Sequence, residues 1–66
     1  MKDLDALVAT GWFVKLMYDP GAGEWRCWLR WPHGDLPHKE ESSRQPNFRS
    51  AVSWLKETSV AWRDTN

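Results

Sequence analysis

Sixty-six residues make one small domain at most, and a chain of this size buries only roughly 60% of the surface its unfolded form exposes. A single cysteine, Cys27, excludes an intrachain disulfide. Stability must therefore come from large side chains: six Trp, two Phe and one Tyr, each able to bury roughly 150–250 Å². Nine Lys and Arg balance nine Asp and Glu for a formal net charge of zero, which excludes the overall basic field of a typical nucleic-acid binder and the acidic excess of a DNA mimic.

The N-terminal residues Met1-Lys2-Asp3-Leu4-Asp5 carry no apolar h-region of a signal peptide. No apolar run approaches the roughly 20 residues of a membrane helix. A lone thiol and no export signal point to the cytoplasm, with no membrane partner expected.

Residues 3–9 admit two readings, a short helix with Leu4, Leu7 and Val8 on one side or an extended arm. Next comes the strongest local signal, a β-hairpin over residues 12–19 and 24–31. Both runs are rich in aromatic residues. Pro20-Gly21-Ala22-Gly23 between them has the composition of a four-residue turn. Setting Asp19 opposite Glu24 places Tyr18 opposite Trp25, Leu16 opposite Cys27, Val14 opposite Leu29 and Trp12 opposite Trp31. All eight are apolar or amphipathic and share one face, which is the expected core. A helix over residues 24–31 would bring Trp25 and Trp28 together, but Trp31 would drift off its stripe, and only the strand explains both runs at once.

Pro32-His33-Gly34-Asp35-Leu36-Pro37 reads as turn or loop. Residues 38–43 read as a third, solvent-facing edge strand, its charges and neighbouring prolines being common protection for an exposed edge, or as plain loop. A helix over residues 48–63 follows, with Asn47 as its N-cap. Phe48, Ala51, Val52, Leu55, Ser59 and Trp62 form its apolar stripe. Trp54 lies off that stripe and reads as core lapping over a sheet edge, or as surface for self-association. The expected fold is α+β: a small antiparallel sheet of two or three strands with the C-terminal helix on one face.

The other face of the hairpin carries Phe13, Lys15 and Met17 on one strand and Arg26, Trp28 and Arg30 on the next. In this register Phe13 faces Arg30, Lys15 faces Trp28 and Met17 faces Arg26. Three cations and two rings with no acid among these six residues make a candidate binding surface. Cations hold phosphates while rings stack on bases, and Trp, Arg, Met and Phe are enriched at protein interfaces. The ordinary alternative is a solvated face in which long cations shield aromatic rings.

Catalytic motifs fail. Gly21-Ala22-Gly23 lacks the following Gly and Lys of a phosphate-binding loop and leads into a strand. His33, Asp35, His38, Ser42 and Ser43 contain the residue types of a catalytic triad, but in one polar stretch without supporting groups to fix them. Glu40-Glu41 reads as a solvated charge run. Cys27, His33 and His38 do not have zinc-ligand spacing. No catalytic residue, metal or cofactor is expected.

The order of hairpin, polar third segment and C-terminal helix resembles the small three-stranded DNA-binding domains at the N-terminus of tyrosine integrases. With a helix over residues 3–9 it is also similar to the α-β-β-β-α order of double-stranded-RNA-binding domains. The start of the last helix, Asn47-Phe48-Arg49-Ser50-Ala51, departs from the latter family in lacking its phosphate-gripping lysine cluster. The expectation is therefore a non-catalytic adaptor or inhibitor that docks the Phe13, Lys15, Met17, Arg26, Trp28 and Arg30 face on a larger protein, a profile common among accessory proteins of phages and mobile elements. Nucleic-acid binding through the same face is the alternative, and a homodimer is compatible with both.

Overall fold

The computed structural model describes residues 2–30 and 40–64. Its elements are α1 (Lys2–Ala9), β1 (Phe13–Asp19), β2 (Glu24–Arg30), β3 (Glu40–Gln45) and α2 (Phe48–Asp64). The three strands form one antiparallel sheet in the order β1-β2-β3.

The hairpin register is the one the side-chain pattern dictates. Asp19 pairs with Glu24, Tyr18 with Trp25, Leu16 with Cys27 and Val14 with Leu29. Local chemistry at the turn holds it. The Asp19 carboxylate Oδ1 accepts bonds from the amides of Gly21 (3.0 Å) and Ala22 (3.3 Å), and the Gly23 amide donates to the Asp19 carbonyl at 2.8 Å. Gly23 closes the turn at φ 67°, a left-handed conformation that a Cβ would disfavour. Trp12 precedes β1, and its expected partner Trp31 lies outside the described residues.

Residues Lys2–Ala9 are helical, which decides between the two readings of that segment. The helix stops in a Schellman arrangement. The Gly11 amide donates to the Val8 carbonyl (3.0 Å) and the Trp12 amide to the Leu7 carbonyl (3.2 Å), with Gly11 at φ 94°. Leu7 is buried, Leu4 packs against the core, and Val8 remains 60% exposed. Val8 thus leaves the apolar side assigned to it, because α1 meets the rest of the molecule along a narrow strip. An exposed ion pair, Lys56 Nζ to Asp3 Oδ1 at 3.3 Å, links α1 to α2; at such exposure it contributes little.

The third segment is an edge strand over Glu40–Gln45, which runs two residues past the expected end at 43; residues 38 and 39 of the expected 38–43 lie outside the described residues. Arg44 and Gln45 join the strand because Arg26 and Trp25 of β2 supply their ladder partners. Strand propensity in Glu-Glu-Ser-Ser-Arg-Gln is too low to mark its ends.

In α2, Ala51, Val52, Leu55, Ser59 and Trp62 are buried and Phe48 is half-buried, as the 3.6-residue stripe requires. Asn47 caps the helix: its Oδ1 accepts from the Ser50 amide at 2.8 Å. The buried Ser59 hydroxyl donates to the Lys56 carbonyl at 2.7 Å, which satisfies its polarity inside the core. Aromatic pairs hold both ends of α2. Trp25 meets Phe48 edge-on with centroids 5.0 Å apart, and Trp12 meets Trp62 at 5.8 Å. Between them Leu55 and Ala51 join Cys27 and Leu29 in a core where all four are fully buried. Trp54 packs against this core, in accord with its reading as core. Among the described residues no helix is long and apolar enough to cross a membrane.

Leu55→Ala is expected to cost about 2–5 kcal/mol by leaving a cavity, enough to unfold much of so small a domain. Asn47→Ala is expected to cost about 1 kcal/mol by orphaning a helix amide. Urea unfolding followed by tryptophan fluorescence measures both, and a Leu55→Ala protein as stable as wild type would contradict this core.

Candidate functional site

The inner face of the sheet is taken up by the helices. Leu4 and Leu7 of α1 and Ala51, Leu55 and Trp62 of α2 share one core with Val14, Leu16, Trp25, Cys27 and Leu29. Strand alternation sends the neighbouring residues the opposite way. The outer face therefore collects Phe13, Lys15 and Met17 from β1 and Arg26, Trp28 and Arg30 from β2, all six of the residues the sequence singles out. The pairs are Phe13 with Arg30, Lys15 with Trp28 and Met17 with Arg26.

Trp28 is the centre of this surface. It lies on the middle strand, half-buried, between Lys15 of β1 and Ser42 of β3. Lys15 Nζ stands 4.9 Å from the ring centroid, and the Arg26 guanidinium carbon stands 5.1 Å from the same ring. A third cation, Arg30, lies 5.5 Å from the centre of the Phe13 ring. Such pairs contribute about 0.5–1 kcal/mol each at exposed sites. They also hold the charged heads over the rings, so cations and apolar surface are presented together. Phe13 is 60% and Met17 43% exposed. Beside them Phe13, Lys15, Trp28, Arg30 and Glu40 line a shallow depression.

Two features of this face escape the sequence reading. β3 adds Arg44, which pairs with Arg26, and Ser42, which pairs with Trp28. Arg44 lies one residue beyond the predicted strand end, so only the observed register reveals that it extends the cationic cluster. The face is also less free of acid than the six hairpin residues suggest. Glu40 pairs with Arg30, and alternation puts Asp19 and Glu24, the closing pair of the hairpin, at its turn end. The result is a cationic centre of Lys15, Arg26 and Arg44 with carboxylates towards two corners.

Cys27 belongs to the other face. It is fully buried, and its Sγ donates to the Ser43 carbonyl at 3.6 Å. Burial raises the thiol pKa, and the hydrogen bond to Ser43 opposes that rise. Among the described residues no three His, Cys, Asp or Glu side chains are grouped to hold a metal ion. His33 and His38 lie outside the described residues, as does the whole of residues 32–37, expected as turn or loop.

A thiol raised in the folded state stays protonated where the unfolded chain already ionises. Stability from Cys27 is therefore intact below the ordinary thiol pKa and is lost as pH rises through the folded value. Wild type is expected to lose more stability than Cys27→Ala between about pH 7 and pH 10; parallel urea midpoints for the two proteins would refute this. On the opposite face, Trp28→Ala removes a ring that lies outside the core. It is expected to cost about 1 kcal/mol from lost cation–π pairs, against about 2–5 kcal/mol for Leu29→Ala one position along. Thermal or urea unfolding of the two variants separates the faces.

The element order α-β-β-β-α is that of the double-stranded-RNA-binding domains, but topology alone is a weak warrant for function. Comparisons of this chain with protein-family models, with curated proteins and with solved structures give no match.

Proposed function

We propose that this chain is a non-catalytic adaptor or inhibitor that docks the outer face of its sheet on a larger protein. The observation that supports this reading most directly is Trp28 at the centre of a sheet face that no helix covers among the described residues, with Lys15 and Arg26 over its ring and exposed Phe13 and Met17 beside it. Trp and Arg are among the residue types enriched at interface hot spots. The matching partner surface offers an apolar recess for Trp28 and Phe13, with carboxylates placed for Lys15, Arg26, Arg30 and Arg44. Its polar rim would meet Glu40, Asp19 and Glu24.

Nucleic acid is the second reading, favoured by the addition of Arg44 to the cationic cluster. Two observations weigh against it. The formal net charge is zero, so the molecule as a whole has no long-range field to draw in a polyanion. Cations already lie over the Trp28 and Phe13 rings, and a stacking base would have to displace them. No step in this reading calls for a catalytic group, and the face is shallow where catalysis favours an enclosed cleft.

The two readings separate on the same pair of variants. For a protein partner recovered by affinity capture, Trp28→Ala is expected to weaken binding by about 30-fold or more and Arg26→Ala by less, because aromatic anchors dominate hot spots. Oligonucleotides, single- and double-stranded, are expected to leave tryptophan fluorescence unchanged at about 50 mM salt. Quenching that fades by about 200 mM salt and disappears in Arg26→Ala and Arg30→Ala would replace the protein reading with the nucleic-acid one.

A further inference from the structure

The sheet has two edges, and they are unlike. β3, at one edge, reads Glu-Glu-Ser-Ser-Arg-Gln, a charged and polar strand of the kind that discourages further pairing. β1, at the other, reads Phe-Val-Lys-Leu-Met-Tyr-Asp over seven residues. It is bonded on one side to β2, and among the described residues no strand pairs with its other side. Phe13, Met17 and Tyr18 are 60%, 43% and 50% exposed along it. Lys15 is the only charge inside it and Asp19 the only one at its end. An apolar edge of this length is a template for another strand.

The charges on β1 indicate which strand. Lys15 and Asp19 lie on the outer face, two residues to either side of Met17. In an antiparallel pairing of two β1 strands with Met17 on the twofold axis, each Lys15 falls opposite the partner's Asp19. On the inner face of the same register, Leu16 falls opposite the partner's Tyr18. Registers that keep inner residues facing inner residues differ by two-residue steps in the sum of paired numbers. Of these, only the Met17-centred one sets the two opposite charges against each other, and symmetry does so twice. The next register sets Lys15 against Met17 and Phe13 against Asp19, leaving both charges without a counterpart.

We propose that β1 is a homodimer seam, through which two copies join into one six-stranded antiparallel sheet centred on Met17. The joined sheet carries two Trp28-centred faces side by side on its outer surface. The contact satisfies the open backbone groups of Lys15–Asp19, covers Met17, Leu16 and Tyr18, and adds two cross-strand ion pairs. Lys15 stands between Trp28 of its own chain and the partner's Asp19. Asp19 Oδ1 is held by the turn amides, which fixes the carboxylate at the end of the seam. Two-fold contacts of this self-complementary kind are the commonest route to oligomers.

Sedimentation equilibrium from about 1 μM to about 1 mM, the range of weak self-association, is expected to show a monomer–dimer equilibrium. Lys15→Glu sets like charges opposite each other at two symmetric positions and is expected to weaken the dimer by about tenfold. Asp19→Asn keeps the turn acceptor while removing the charge, and is expected to weaken it by about threefold. Hydrogen exchange locates the seam independently of any variant: amides within Lys15–Asp19 are expected to slow as protein concentration rises. A monomer throughout the range, a dimer indifferent to Lys15→Glu, or concentration-dependent protection in Glu40–Gln45 in place of β1 would each overturn the proposal.

Discussion

Everything in this molecule depends on the pairing of Asp19 with Glu24 across a four-residue turn. Side chains alternate along a strand with a period of two, so a slip of one residue would exchange the two faces of the hairpin. The turn prevents that slip through three local bonds to Asp19 and a left-handed Gly23. With the register held, Val14, Leu16, Trp25, Cys27 and Leu29 turn inward together. Phe13, Lys15, Met17, Arg26, Trp28 and Arg30 turn outward together for the same reason.

The inward set accounts for stability without a disulfide. Cys27, Leu29, Ala51 and Leu55 are fully buried at its centre, and the small side chains of Cys27 and Ala51 let sheet and helix approach closely. Aromatic pairs close the two ends: Trp25 with Phe48 near the hairpin turn, and Trp12 with Trp62 at the far end. Trp12 is itself placed by the helix stop at Gly11, whose geometry returns the chain from α1 into β1. A chain of this length has few core residues, so rings that each cover a large area take the place that cross-links hold in other small domains.

The outward set shows how apolar and charged groups share one surface. Arg26 and Lys15 lie over Trp28, and Arg30 lies over Phe13. The cations and the rings are thus presented together, each ring carrying charge over its face. The two edges of the sheet differ as well. Charge and hydroxyl groups close β3 to further pairing, whereas β1 is apolar and self-complementary. A sheet extended through β1 would set two Trp28-centred faces side by side, with Met17 and Lys15 at the seam between them.

Features that depend on neighbours in the chain were legible from the residues alone. Turn chemistry at residues 20–23 set the hairpin register, alternation sorted its faces, and the spacing of Phe48, Ala51, Val52, Leu55, Ser59 and Trp62 marked the buried side of α2. Asn47 was legible as its cap because the capping bond reaches only three residues along the chain. All six outward hairpin residues were legible for the same reason. Tertiary structure decided the rest. Residues 3–9 carry too few apolar positions to choose helix over extended arm, and it is the burial of Leu7 against the core that selects the helix. Glu40–Gln45 has no strand preference of its own, so its limits, and with them the place of Arg44 beside Arg26 and of Glu40 beside Arg30, come from the ladder offered by β2. Local periodicity reports which way a side chain points; only long-range pairing reports what stands next to it.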